Sequence, residues 1–380
     1  MKKKIIQIAQ PVTGDEEWQA VKESIMSGWI TQGPKVRKFE ENFAKKHEVN
    51  HALAVTSCTT GLHLALTAMG IGPGDEVIVP AFTWVSTANV VLYCGATPVF
   101  VDVSTNSFNI KPEQIAKKIR NKTKAIIPVH LFGLCADIDL IKSIIPKDVK
   151  ILEDAACGAG AKYNGKYAGT LGDAASFSFH PRKSITTGEG GMVTTQNNSL
   201  FELMDQMRNH GATISEEQRH QGPKPYILPD FNLLGFNYRM TDLQGSIGLV
   251  QLDKLDNIID ERAKWARWYK DQLSDINWLR LPEEPDNGRH GWQSFVTYVD
   301  PILAPKTRNE IMEKLQDMGI STRPGTHVVH MLSVYKEKFG LKPSDFPGAR
   351  DCDANTMAIP LHNQMVQEDY AYVVNALRSF

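Results

Sequence analysis

The chain has 380 residues, 42% of them hydrophobic and 22% charged, with a formal net charge of −1. Its length exceeds one ordinary core and predicts two or three packed units. The near-neutral balance excludes a global field that would recruit nucleic acid or an anionic membrane, and no apolar run reaches the roughly 18 residues of a membrane-spanning helix.

The opening MKKKIIQIAQP carries a basic triplet, but its apolar run is too short for a secretory signal. Five scattered cysteines (Cys58, Cys94, Cys135, Cys157, Cys352) show no CxxC spacing. Neither a disulfide framework nor a metal site is therefore expected, and a reducing cytoplasm fits best. HALAVTS reads as a strand and TTGLHLALTAMG as the helix after it. DEVIVPAFTW is a strand running into a loop, STANVVLYCG a helix, TPVFVDV a strand and PEQIAKKI a helix. KAIIPVHLFG, DIDLIKSII and VKILEDAA continue as strand, helix and strand. Strands rich in Val and Ile alternating with helices predict a mostly parallel sheet covered on both faces. ASFSFH and GGMVTT are placed as its last strands. Ligands gather at the carboxyl ends of such strands, where Ser57 to Thr59, Trp84, His130 and Asp154 fall.

Beyond residue 200 the pattern changes. Ser199 to Gly211 is helical, and a polar, Pro-rich stretch then ends at FNLLGFNYRM. TDLQGSIGLVQLDKLDNIIDERAKWARWYKDQL predicts a long helical segment with room for one break, linking to a C-terminal unit. There GWQSFVTYV reads as a strand, TRNEIMEKLQDMG as a helix and EDYAYVVNALRSF as a closing helix.

Lys183, in FSFHPRKSITTGEGG, is the most informative residue. A lysine amine becomes a nucleophile when desolvation or a cationic neighbour lowers its pKa. Its best-known use of this kind is a Schiff base with pyridoxal phosphate (PLP), partnered by a carboxylate at the ring nitrogen. The acidic pair Glu153-Asp154, closing an apolar run, offers such a carboxylate; for Asp154 a helix cap or a surface charge is the alternative. TSCTTG, between a strand and a helix, offers backbone amides and hydroxyls to a phosphate, although Ser or Thr before a helix is often only a cap.

Several long stretches, in order, resemble the DegT/DnrJ/EryC1/StrS family of PLP-dependent sugar aminotransferases nearly end to end. They are SGWITQGPKVRKFE, TSCTTGLHLAL, GDEVIVPAFTWVSTANVVLYCGATPVFVDV, ILEDAACGAGA, FSFHPRKSITTGEGG and GFNYRMTDLQGSIGLVQL. The resemblance implies an α/β fold: a seven-stranded, mostly parallel sheet sandwiched by helices, as in fold type I. Residues 1–250 would form the large PLP-binding domain, N-terminal segment included, and residues 251–380 a smaller C-terminal α+β domain.

The same resemblance implies roles. Lys183 would hold the cofactor and then act as base and acid of the proton shift. Asp154 would pair with the ring nitrogen. Trp84 would stack on the ring, with a plain core role as the alternative. Cys58, Thr59 and Ser178 would bind the phosphate, and Asn237 would reach it from a partner subunit in a homodimer with shared active sites. Cys157 stands where the family often has Gln or His near the phenolic oxygen; a thiol is a weaker donor, and a small buried filler is the other reading. His327, Arg239 (from the partner chain) and His180 are candidates to face the substrate, each with an exposed, capping or structural role as its alternative, and His130 divides the same way. The implied substrates are L-glutamate as amino donor and a keto sugar on a nucleotide, with C3 or C4 amination and a GDP, UDP or dTDP carrier all open; STRPGTHVVHMLSVYKEKFG resembles the family's C-terminal substrate segment, and its PGTHVVHM part looks closest to members acting on GDP-linked 4-keto-6-deoxy sugars. The alternatives are a related PLP-dependent sugar dehydratase, against which the retained lysine argues, and a non-catalytic PLP-binding regulatory protein.

Overall fold

The computed structural model describes residues 5–224 and 226–380; the basic triplet Lys2 to Lys4 lies outside the described residues. The main sheet has seven strands. From one edge they run His51–Val55, Gly191–Thr195, Ala174–Ser178, Lys150–Asp154, Thr123–Ile126, Glu76–Pro80 and Thr97–Val101. The last five are parallel to one another. Gly191–Thr195 is antiparallel to both neighbours, which slots it between the first strand and Ala174–Ser178. Helices on both faces explain why the strands are apolar at nearly every position instead of alternately. Ile78, Val79, Ala125, Ile126, Leu152 and Ala175 are all buried.

Helix Cys58–Ala68 lies tightly on this sheet, because a Cβ on Gly61 would sit 2.3 Å from Ser176 Oγ. The stretch PEQIAKKI yields only the short helix Pro112–Ile115; Lys118 N–H then bonds to the Ile115 carbonyl at 2.8 Å and closes a tighter turn. A second sheet of four short strands, ordered Leu279–Arg280, Phe295–Val299, Thr356–Ile359 and Arg323–Pro324, lies in the C-terminal part. Its core includes Trp292, Phe295, Ile311, Leu315 and Tyr370.

Helix Asp242–Leu273 joins the two parts without a break. The sequence left room for one break in it, but its glycines mark close packing. A Cβ on Gly245 would meet Val36 N at 2.9 Å, and one on Gly248 would meet the Phe39 ring at 2.6 Å. Helix Pro34–Lys46 therefore fits into the groove that these glycines leave. No described helix is long and apolar enough to cross a membrane.

Candidate active site

The carboxyl ends of the parallel strands and the loop after Ala174–Ser178 bring four reactive side chains together. Lys183 Nζ lies 3.3 Å from Cys157 Sγ. Cys58 Sγ lies 3.3 Å from the Ser176 carbonyl and 3.9 Å from Asp154 Oδ1. Asp154 is buried, and its two oxygens are held separately. Thr87 Oγ1 donates to Oδ2 at 2.8 Å, and Ala156 N–H donates to Oδ1 at 3.1 Å. A cap or surface role for Asp154 is thereby set aside.

The lysine loop is rigidly folded. Lys183 N–H bonds to the His180 carbonyl at 2.8 Å, Thr186 Oγ1 donates to the Phe179 carbonyl at 2.8 Å, and Thr187 Oγ1 donates to the Glu189 carbonyl at 2.6 Å. Gly188 turns the chain at φ 83, a left-handed conformation that glycine adopts without steric cost. Two outside residues clamp the loop. Gln251 Oε1 accepts from Thr186 N–H at 3.2 Å, and Gln293 Nε2 donates to the Arg182 carbonyl at 2.9 Å.

The phosphate candidates also converge. Ser57 caps helix Cys58–Ala68 by accepting from Thr60 N–H at 3.1 Å, while first-turn amides of a helix have no partner within it. Ser178 is in register with Gly191, and a Cβ on Gly191 would sit 2.7 Å from Cys58 N. That bare position brings the Ser178 end of the strand up to the helix start. Thr59 Oγ1 donates to Ser86 Oγ at 3.0 Å, so its amide is the better phosphate donor. These features fit PLP: a buried carboxylate beside an amine at one end, and a small-residue helix N-terminus at the other.

Charge in the cluster has a definite direction. Burial pushes the Asp154 carboxyl up, and hydrogen bonds from Thr87 and Ala156 with the charge of Lys183 pull it back only in part. Burial also raises the Cys58 thiol well above its ordinary range, aided by Asp154. For Lys183 the sequence led us to expect a lowered pKa, and the structure corrects that. Burial does pull the amine down, but Cys157 first, with Asp154 behind it, outweighs it and holds the amine above the usual lysine range. These partners stand at and just after the end of strand Lys150–Asp154, 26 and more positions earlier in the chain, so their effect was not readable from the loop itself. Burial and the neighbouring Arg182 lower His180.

Trp84 is 54% exposed, so it is no core residue; its ring lies 5.3 Å from that of His327. Strand His327–Val328 pairs with Phe82–Thr83 and sets the two rings together. Arg239 bridges to Val55 and donates to Asn209 Oδ1 at 2.8 Å, while the backbone of Asn237 bridges to Asn209. The structure thus places Arg239 beside the end of the first strand and leaves Asn237 exposed. Cys157 is half-buried against Lys183, unlike a buried filler.

Of the two readings of His130, the hydrogen bonds favour the structural one. Its Nε2 lies 2.7 Å from Glu153 Oε2, and its Nδ1 accepts from Ala136 N–H at 3.1 Å. Glu153 faces away from Asp154 because successive strand residues point to opposite sides. Thr87 and Ser176 went unnoticed in the sequence. A threonine in the first turn of helix Ser86–Tyr93 reads as an ordinary helix-start residue, and only the fold aims it at Asp154.

Comparison with known proteins agrees with this geometry. The model of the DegT/DnrJ/EryC1/StrS aminotransferase family matches residues 11–378. The spore coat polysaccharide biosynthesis protein SpsC of Bacillus subtilis (strain 168) is 38% identical over 370 residues, 97% of this chain and 95% of that protein. GDP-perosamine synthase of Caulobacter vibrioides is 38% identical over 375 residues, 98% of this chain and 97% of that protein. Spr1654 from Streptococcus pneumoniae, solved in a pyridoxamine phosphate form, superposes with a TM-score of 0.92 at 27% identity, covering 98% of both chains. Its PLP form gives 0.90 at 27% identity, covering 99% of this chain and 98% of that one. The chain therefore belongs to the DegT/DnrJ/EryC1/StrS aminotransferase family and is a PLP-dependent sugar aminotransferase.

Proposed function

We propose that the enzyme moves an amino group from L-glutamate to a keto sugar carried on a nucleotide, with a GDP-linked 4-keto-6-deoxy sugar as the leading substrate class. The observation that carries the reading is the Lys183 amine set 3.3 Å from Cys157 in a cluster closed by the buried Asp154. The 38% identity to GDP-perosamine synthase supports the choice of sugar class. Lysine, not histidine, at position 183 speaks against the dehydratase alternative.

When bound, PLP supplies an electron sink for the carbanion formed next to the transferring nitrogen. The remaining work falls to this chain. Lys183 attaches the cofactor through Nζ and, once released, carries a proton on that atom from one carbon to the other. Asp154 holds a proton on the ring nitrogen. The amides of Cys58 and Thr59 and the Ser178 hydroxyl bind phosphate, and Trp84 covers the ring. Cys157 stands at the phenolic-oxygen side, and His327, Arg239 and His180 face the sugar nucleotide. Residues 1–250 hold the cofactor, and residues 251–380 form the smaller unit. Five free cysteines suit a reducing cytoplasm.

The site is completed in a homodimer. The run before Asn237 exposes Tyr226 and Leu228, each 76% accessible, and Leu234 at 90%. Apolar side chains so grouped mark a surface covered by a partner, and a second copy would bring its own Asn237 to the phosphate. Incubation with glutamate and a panel of nucleotide-linked 3-keto and 4-keto sugars, read by product mass, tests the proposal. An aminated sugar nucleotide is expected. A panel that yields no amine while glutamate still converts the cofactor to its amine form would overturn the substrate assignment.

A further inference from the structure

Asp154 is held in place by a chain of buried hydroxyls. Thr87 Oγ1 donates to Asp154 Oδ2 at 2.8 Å, and Thr83 Oγ1 lies 3.2 Å from Thr87 Oγ1. Both threonines are buried. The acceptor fixes the direction of the chain. An ionised carboxylate only accepts, so the single Thr87 proton points at Asp154; the proton between the threonines must then come from Thr83. Thr83 in turn lies on strand Phe82–Thr83, opposite His327 in the antiparallel register, and next to Trp84. The aromatic mouth of the site and its buried carboxylate are thus joined through two hydroxyls.

We infer that Thr87, backed by Thr83, is a positioning residue for Asp154: it orients the carboxylate toward the ring nitrogen, keeps it ionised in a buried pocket, and ties it to the strand pair that carries His327. The inference rests on the reading of Asp154 as the ring-nitrogen partner. Three points support it. A buried charge is tolerable only when donors satisfy it, and Thr87 supplies the shortest hydrogen bond that Asp154 receives. Donor chains that end on an anion reinforce one another in a low-dielectric site. A valine at either position would keep the shape and remove the proton, so the effect is separable from packing.

The test uses the full chain and two readouts. In the first, cofactor binding is measured by equilibrium dialysis for wild type, Thr87→Val, Thr87→Ser, Thr83→Val, the Thr83→Val/Thr87→Val double variant and Asp154→Asn. Thr87→Val should weaken binding about tenfold, as expected for loss of a hydrogen bond to a charged group. Thr87→Ser should restore most of that loss, and Thr83→Val should cost about two- to threefold only while Thr87 is present. In the second, thermal unfolding without cofactor compares wild type, Thr87→Val, Asp154→Asn and their double variant; their effects should be non-additive. Thr87→Val with wild-type affinity, a serine variant as weak as the valine one, or additive unfolding effects would each overturn the relay while leaving Asp154's role intact. Asp154→Asn with wild-type affinity would overturn both.

Discussion

Glu153 and Asp154 are neighbours on one strand, both buried, and they lead opposite lives. Glu153 accepts from Gly169 and Leu171 N–H at 2.8 Å and from Gly172 N–H at 2.7 Å, with His130 at 2.7 Å besides. Its oxygens are fully used in pinning the 169–172 turn to the sheet. Asp154 has one hydroxyl, one amide and a distant thiol. A carboxylate can accept about four hydrogen bonds, so Asp154 retains capacity and Glu153 has none to spare. A saturated buried acid serves the fold; an undersupplied one beside an amine is set up for a ligand. The cost of that shortfall shows in the raised Asp154 pKa.

The sharpest way to break this comparison is to remove the amine. Lys183→Ala should abolish covalent cofactor attachment, seen as no added mass after borohydride reduction, and should slow turnover by about 10³-fold, within the usual range for a lost acid–base group. A variant that still carries reducible cofactor at another lysine would refute the assignment.

Next in size is the structural half of the pair. Glu153→Gln replaces an acceptor-only carboxylate, which faces three backbone N–H donors, with an amide that brings donors of its own. Breaking such a buried network costs about 3 kcal/mol. Denaturant unfolding should show that loss, while the fraction that stays folded should bind PLP with nearly unchanged affinity. A large change in cofactor affinity without loss of stability would mean that the two acids do not divide as described.

Asp154→Asn should do the reverse. The folded-state pKa of Asp154 is raised, so the fold favours its protonated form, and ionisation costs stability as pH rises through the carboxylate range. At pH 7 the cofactor-free asparagine variant should therefore melt higher than wild type, by roughly 1–3 °C, and the gap should close toward pH 4. Cofactor binding should suffer at the same time. A melting point below wild type at neutral pH and equal to it in acid would reverse the sign and remove the argument.

Much of this was legible in the residues. Apolar runs alternating with helical segments are enough to specify the parallel sheet, and the ligand-bearing edge follows from topology. That rule selects an edge but not a face of the sheet, which is why His130 seemed to share the prospects of Asp154. Gly245 and Gly248 carry no sign in the sequence that Val36 and Phe39 need their bare backbones, so one helix looked breakable. Thr87 was hidden because its partner lies 67 positions away in the chain. Contacts closed by tertiary structure are what a single sequence withholds.

The smallest effect concerns Cys157, where the family often has a larger donor. Its sulfur accepts from Lys183 Nζ at 3.3 Å and leads the influences that hold the amine up against burial. Serine keeps a hydrogen-bonding atom there, but a hydroxyl is intrinsically a far weaker acid than a thiol. In Cys157→Ser the balance therefore tips toward burial, and the Lys183 pKa should fall, leaving more neutral amine at a given pH. The rate of covalent cofactor capture, followed by absorbance across pH, should reach half its plateau at a lower pH than in wild type. Stability should hardly change, because a half-buried sulfur contributes little packing. A midpoint that stays fixed or moves upward would show that the thiol beside the amine is only a neighbour.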